Sequence, residues 1–531
     1  MIIAGGPILT LDGDGPRPEA LVVAGGRVLA AGPYRQLNEA WGAGAKRLDL
    51  DGRAVIPGLT DSHLHLVGYG LVLDQVQLAG KDSLAEMVAA VAAAGEKLPS
   101  GDWLIGRGWD QSRFREGRYP TRHDLDAVCP DRPVVLARAC GHCSVANSAA
   151  LALASVTAAT ADPPGGLIER DPDTGEPTGV LHESAAGLVR AVVPPPAPAT
   201  LKRALRRALE LALSRGLVAC HPDDVRSTGT FAAAWRLYQE LLPELGGPRI
   251  RLDVADRALP ELVAAGLRTG SGGPMLSVGA IKTFADGSLG ARSAALTESY
   301  ADGPGSGILV QERDEFMGLI ERAHGHGMQV AIHAIGDLAV DWALDAIEAA
   351  QRSRPAEPGR RHRVIHVQIT RPDQLPRFVA LGAVAEIQPV FVATDQAWVE
   401  QRIGAARAQH SYCWATMLGA GVACAGGSDG PVEPLDPLFG IWAAVNRVAW
   451  HGPADDAWLP AERLPVEAAL RLFAQGGAYA AGAECWRGTL GPGQAADFVV
   501  LDRGPTEVPP SELRDLRVEM TFIAGRQVYG R

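Results

Sequence analysis

The chain has thirteen histidines in 531 residues, and their placement is the first chemical signal. His63 and His65 stand in Asp61-Ser-His-Leu-His. In extended backbone alternate side chains share a face, so the two imidazoles point the same way. Such a pair suits a borderline-soft divalent ion, although His-x-His also arises by chance. The pair gains weight from its company. His333 closes the apolar run Gln329-Val-Ala-Ile-His, His366 closes Arg363-Val-Ile-His, and Asp429 follows another run in Ala425-Gly-Gly-Ser-Asp. Lys282 lies inside Val278-Gly-Ala-Ile-Lys-Thr-Phe-Ala-Asp-Gly, where a lysine is costly to bury as a cation. A depressed pKa leaves its amine neutral and nucleophilic toward carbon dioxide. The resulting carbamate is an anionic, two-oxygen ligand able to bridge two metal ions. The competing reading is an ion pair with Asp286 near the strand end, and spacing does not choose between them.

These groups must be brought together by the elements that carry them. Eight short apolar runs are expected as strands: Ala54–Leu59, Leu217–Cys220, Ile250–Val254, Ser277–Phe284, Met328–Ile332, Arg363–Val367, Ala383–Ile387 and Gly421–Ala425. Most are followed by helical stretches. Continuous rather than alternating apolar runs fit parallel strands covered by helices, and eight such units predict an α/β fold, a (β/α)₈ barrel of the TIM type. The barrel is expected over 56–70 plus 200–486. His63, His65, His333, His366 and Asp429 then stand at strand ends, where the active sites of such barrels lie. Residues 71–199 are far more than one crossover needs and read as an inserted domain capping the barrel mouth. That stretch ends at Val193-Pro-Pro-Pro-Ala-Pro, a stiff boundary. Both chain ends are strand-like: Ala20-Leu-Val-Val-Ala-Gly-Gly-Arg-Val-Leu-Ala is a hairpin signal, and Ala496-Asp-Phe-Val-Val-Leu-Asp and Met520-Thr-Phe-Ile-Ala-Gly-Arg-Gln-Val-Tyr match it in style. A small β-sandwich built from 1–55 plus 487–531 is the expectation.

Composition narrows the function classes. A hydrophobic fraction of 47% supports a sizeable core. The net charge of −11 argues against nucleic acid or an anionic membrane as partner. No uninterrupted apolar run reaches membrane-span length, and Met1 is not followed by a basic, then long apolar, leader. Seven cysteines, an odd number in a long chain, do not read as a disulfide framework. The expectation is a cytoplasmic enzyme acting on a small molecule. Only five of the 50 basic residues are lysines, which makes Lys282 worth following.

In order along the chain, Pro57-Gly-Leu-Thr-Asp-Ser-His-Leu-His, Lys282-Thr-Phe-Ala-Asp-Gly-Ser-Leu-Gly, Ile332-His-Ala-Ile-Gly-Asp, Arg363-Val-Ile-His-Val-Gln and Gly426-Gly-Ser-Asp-Gly-Pro-Val resemble the motifs of the amidohydrolase superfamily. The resemblance is to its YtcJ-like and N-substituted formamide deformylase-like branch. It extends through the insertion at Gly108-Trp-Asp, Leu125-Asp-Ala-Val and Gly141-His-Cys-Ser-Val-Ala-Asn-Ser-Ala-Ala-Leu. It implies that His63 and His65 hold one metal, and that carboxylated Lys282 bridges to a second held by His333 and His366. Asp429 would bind metal and shuttle the proton of the nucleophilic water. Two zinc ions are the default, with manganese, iron or nickel also suited to such ligands, and carbon dioxide is needed for the lysine. The resemblance further implies a homodimer, and it makes His142 a candidate substrate contact.

The expected reaction is hydrolysis of a non-peptide C–N bond, an amide, N-formyl or N-acyl amine. A metal-activated hydroxide attacks, and Asp429 returns the proton to the leaving nitrogen. Alternatives are a deaminase or an ester or lactone hydrolase on the same metals, and a barrel that has lost catalysis and serves in binding or regulation. Trp109, Asp286 and His221 are further candidate substrate contacts, and Trp398 a candidate pocket wall. Each has a plainer reading, as packing for the tryptophans and as the turn after its strand for Asp286. His324-Gly-His326 imitates the metal pair but precedes the fifth run and reads as a helix terminus. Cys140-Gly-His-Cys143 matches a redox motif only by its letters.

Overall fold

A computed structural model describes residues 1–13, 15–99, 101–139, 143–355, 357, 359–453 and 455–530. The apolar runs become one eight-stranded parallel sheet: β1 Leu59–Leu64, β2 Leu217–Pro222, β3 Arg249–Ala255, β4 Leu276–Phe284, β5 Val330–Ala334, β6 Arg363–His366, β7 Val384–Ile387 and β8 Ala423–Gly426. Each strand pairs with the next in sequence, the order of a singly wound barrel. Helices such as Phe231–Leu245, Arg313–Gly325 and Asp337–Ser353 lie between the strands. The first of them is sharply bounded: Thr230 accepts a bond from Ala233 N at its start, and Gly246 takes a left-handed φ of 76° at its end.

The first expected run divides in two. Ala54–Pro57 pairs antiparallel with Phe498–Leu501, and β1 begins only at Leu59. The break falls at Gly58, whose amide bonds Asp497 O and whose Cβ would lie 2.4 Å from the Val218 side chain. No larger residue fits between the two sheets there. His63 therefore lies within β1 rather than beyond its end.

Ala54–Pro57 belongs to a four-stranded sheet with Phe498–Leu501, Val518–Ile523 and Arg526–Gly530. A second four-stranded sheet is made of Ile2–Ala4, Ala20–Ala24, Arg27–Gly32 and Arg47–Asp49. The two share an apolar core that includes Ile3, Leu21, Val23, Phe498 and Phe522, the last two stacked at 4.3 Å. Both ends of the chain thus build one small β-sandwich.

By its contacts the chain divides into two compact units, Met1–Tyr69 with Leu205–Arg531, and Gly70–Ala204. The second has its own six-stranded sheet and a core around Met87, Val91, Leu104, Trp109 and Leu136.

Two features inside the barrel prepare the site. On β4 the pairing with β3 slips between Leu252 and Val254, and Ala280 N bonds Asp253 Oδ1 at 2.8 Å in the gap. Gly279 is required there, since a Cβ would sit 2.3 Å from that oxygen. The bulge re-aims Lys282. Below it the fully buried Arg363 of β6 donates to both oxygens of Asp253 on β3 at 2.5 Å and to Glu386 Oε1 on β7 at 2.9 Å, tying distant strands through one guanidinium.

Candidate metal centre

His63, His65, Lys282, His333, His366 and Asp429 line one cavity of about 360 Å³ at the C-terminal ends of the barrel strands. His63 and His65 alternate out of β1 onto the same side, their Nε2 atoms 3.3 and 3.2 Å from Asp429 Oδ1. The imidazoles form a contiguous group, with ring centroids 5.3 Å apart for His63 and His65, 5.7 Å for His63 and His366, and 4.4 Å for His333 and His366. His366 and Asp429 are both held in the left-handed region, at φ 78° and 56°. For a residue with a side chain that conformation costs about 1–3 kcal/mol and persists only where its surroundings enforce it.

The hydrogen bonds decide which nitrogen each ring offers. His65 Nδ1 faces Asp223 O at 3.0 Å, His333 Nε2 faces Gly287 O at 3.0 Å, and His366 Nδ1 faces Gln388 Oε1 at 2.8 Å. An oxygen that only accepts draws the ring proton to its side, leaving Nδ1 of His333 and Nε2 of His366 as lone-pair nitrogens, whereas His65 faces an accepting oxygen from both ring nitrogens. His63 Nδ1 is buried without a partner among the described residues. Burial pushes His63 and His333 down to about 3, and His366 well below its ordinary value, so these rings are neutral, the form that ligates a metal. His65 stands apart: burial would lower it, but its bond to Asp429 and the charges of Asp429 and Asp223 raise it to about 9. Burial raises Asp429, and the bonds from His63 and His65 more than offset this, holding it well below the carboxylate range. His63, His65 and Asp429 place their ligand atoms within 4.8 Å of one another. Neutral imidazoles, an anionic carboxylate and an orphaned ring nitrogen fit a divalent cation.

Lys282 is 1% exposed, with Nζ 3.8 Å from the Phe284 ring centroid. Among the described residues no carboxylate lies within ion-pair distance of it, so the pairing with Asp286 is not formed. Burial lowers its amine to about 8, against the opposing charges of Asp223 and Asp429. Asp286 instead accepts the amides of Ile335, Gly336 and Ala295 at 3.0, 2.8 and 2.9 Å and sits 3.5 Å from His333 Nε2. It is absent from the cavity wall, and its work is to hold His333 and the loop that follows.

The other candidates separate. Trp398 lines the mouth cavity together with Phe391, Leu289 and Val432. Trp109 is fully buried in the core of the Gly70–Ala204 unit, its Nε1 donating to Leu136 O at 2.9 Å, as the packing reading has it. His221 is fully buried beside Arg363, beneath the metal-binding cavity and outside its wall. His142 and Cys140 lie outside the described residues, and Cys143 is buried. His324 and His362 pair with each other through Nδ1 and Nε2 at 2.8 Å, a structural role.

Sequence reasoning missed several residues that make the site. Asp61, two residues before His63, accepts Ser428 Oγ at 2.6 Å, Ser428 N at 3.1 Å and His63 N at 3.2 Å. Together with Asp429 N bonded to His63 O at 2.8 Å, it sews the end of β8 to β1 and sets Asp429 against the histidine pair. Gln388, just past β7, was also unmarked. So were Glu433 and Asp395, two acids of the cavity wall that burial raises to about 7 and 6. A carboxyl at a strand end beside an expected ligand was the available signal for Asp61.

Residues 46–529 match the family model described as the amidohydrolase family. YtcJ of Bacillus subtilis (strain 168) is 38% identical over 531 residues, covering 99% of this chain and 98% of that one. An N-substituted formamide deformylase of Arthrobacter pascens is 30% identical over 548 residues, covering 100% of this chain and 98% of that one. An uncharacterized metal-dependent hydrolase from Pyrococcus furiosus superposes with a TM-score of 0.78 at 34% identity, over 95% of this chain and 99% of that one.

Proposed function

The chain belongs to the amidohydrolase family and is a metal-dependent hydrolase, and from that premise we propose that it hydrolyses a non-peptide C–N bond, that of an N-formyl or N-acyl amine. The observation that carries the reading is the meeting of four imidazoles, Lys282 and Asp429 on one cavity. The likeness to an N-substituted formamide deformylase supports the choice of bond.

His63, His65 and Asp429 would hold one divalent ion. His333 and His366 would hold a second, shared through a carboxylated Lys282. Bound there, such ions polarise a carbonyl and bring the pKa of water toward neutrality. The chain's own residues do the rest. Burial weakens the hold of Lys282 on its proton, which exposes the amine lone pair to carbon dioxide. Phe284 shields that amine from solvent on one face. Asp429 is the one carboxylate among these ligands, so it takes the proton lost from water and hands it to the departing nitrogen, without which an amide nitrogen leaves poorly. Asp61 keeps Asp429 in register for both transfers. Phe391, Trp398 and Leu289 exclude water around an apolar acyl or amine substituent, while Glu433 and Asp395 offer acceptors to an N–H of the substrate.

The test is a substrate panel run on protein of known metal content. Two metals per chain and turnover of N-formyl and N-acyl amines, with crystallographic density extending beyond Lys282 Nζ, is the expected result. Turnover of esters or lactones without amides, or release of ammonia from an aminated heterocycle, would replace the proposal with one of those activities.

A further inference from the structure

A second cavity, of about 430 Å³, opens at the N-terminal ends of β3 and β4, away from the metal ligands. Arg249, Arg251, Arg487 and His221 line it, with Trp486 and Ser277. Arg249 is compensated: its Nε and Nη2 reach Asp497 at 2.7 and 3.0 Å. The other two guanidiniums are not. Arg251 spends Nη1 on Ala481 O and Nη2 on Gln329 Oε1, and its Nε is buried without a partner. Arg487 bonds Thr60 Oγ1 through Nη1 at 3.2 Å. Among the described residues neither has a carboxylate within 4.0 Å, because the nearby acids are engaged elsewhere. Asp253 and Glu386 hold Arg363, and Glu484 holds Arg361.

His221 adds a third donor. It is fully buried, and its Nδ1 lies 3.5 Å from Arg363 Nη1. A guanidinium only donates, so the Nδ1 lone pair faces it and the ring proton sits on Nε2, which has no partner among the described residues.

We propose that this cavity binds a phosphate group, free or carried on a small molecule. Two uncompensated guanidiniums match the charge of a phosphate dianion, and their planar forks match its oxygens; a monocarboxylate would neutralise only one of them. The space exceeds that of the anion itself. Trp486, Ile250 and Pro274 give the remainder an apolar wall suited to a small organic substituent. Buried guanidiniums without counter-charge are costly, and the cost shows in their titration. Burial first, with repulsion from Arg363 and Arg487, lowers Arg251 to about 9, and burial with repulsion from Arg249 lowers Arg487 to about 10.

The experiment is calorimetric titration of the metal-loaded, full-length protein with inorganic phosphate and with glycerol phosphate, against chloride at matched ionic strength. One saturable site per chain is expected, weakened at least about tenfold by Arg251→Met or Arg487→Met, since each removes a charge-assisted pair. Equal affinity for the two ligands assigns the site to free phosphate, and tighter binding of the ester assigns it to a phosphorylated small molecule. Ser277 is paired with Arg251 across β3 and β4 on the same face of the sheet. Ser277→Asp therefore supplies an internal carboxylate, and should abolish phosphate binding while raising the melting temperature and leaving hydrolysis unchanged. That variant decides the matter if the arginine variants fail to fold. No saturable binding beyond chloride, or binding that survives Ser277→Asp and so belongs to the metal centre, would overturn the proposal.

Discussion

In the proposed mechanism Asp429 is the residue on which the chemistry turns, because it serves there both as a ligand and as the carrier of the proton. Asp429→Asn keeps the shape and the bond from its own amide to His63 O but removes the proton acceptor. The expected loss in kcat is on the order of 10²–10⁴, the usual span of general acid–base catalysis, with KM little changed. Steady-state kinetics beside metal analysis separates this from simple loss of metal. Lys282→Met preserves the buried volume and the contact with Phe284 while deleting the amine. If the carboxylated lysine shares two ions, metal per chain should fall from two to one or fewer, measured by elemental analysis, and activity should fall with it. Retention of two metals would refute the bridging role.

Among the elements, β6 carries the most, since Arg363 begins it and His366 ends it. Arg363 is fully buried and joins β3 to β7 through Asp253 and Glu386. Burial by itself would lower its pKa, but those two carboxylates raise it above the ordinary value. Arg363→Met strands both acids in the barrel and should cost about 3–5 kcal/mol, read as a lower urea midpoint; adding Asp253→Asn and Glu386→Gln should recover part of that loss. His362, just before β6, makes a pH-dependent contribution away from the metals. Its Nδ1 accepts from Val330 N at 3.1 Å and its Nε2 faces His324 Nδ1, whose own Nε2 reaches Arg354 O. In this relay the bond from Val330 N requires a lone pair on His362 Nδ1, so the His362 ring must be neutral. Burial, then the charges of His324 and Arg360, lowers His362 to about 3. The unfolded chain binds the proton near 6.5 and the folded chain does not, so the stability is complete above that value and is lost as pH falls below it. Between pH 7 and 5 the loss should be about 2 kcal/mol. His362→Gln should flatten that part of a melting-temperature profile; an unchanged slope would exclude the relay as its source.

At the scale of the molecule, the metals and the fold are linked. An ion that binds only the folded chain stabilises it by about 4 kcal/mol at a thousandfold excess over its dissociation constant. Chelation should therefore abolish hydrolysis and lower the melting temperature, and re-addition of a single divalent ion should restore both. Differential scanning calorimetry before and after chelation checks this. Among the described residues no helix is long and apolar enough to cross a membrane. All residues that line the metal-binding cavity come from the unit formed by Met1–Tyr69 and Leu205–Arg531.

The barrel and the histidines gathered at its mouth were legible in the chain alone, because each signal is local. An apolar run ending in histidine states that a strand is buried and marks its end as a candidate ligand position, and three such endings, with Asp429 after a fourth run, leave little freedom. Lys282 was legible for the same reason, as a cation where only apolar residues belong. What the chain could not state is which of these groups meet what else. Asp61 and Ser428 are 367 residues apart, and only the closure of β8 on β1 makes them partners. Asp286 reads as a partner for Lys282 at four residues' distance, yet the loop amides claim it. Trp109 and His221 are exposed or buried, near the substrate or far from it, only once their layers are packed. Residue types and spacing marked the candidate ligands, because a strand end and a cation in an apolar run are local signals; long-range packing alone decided the hydrogen bonds that orient them and the charges left without a partner.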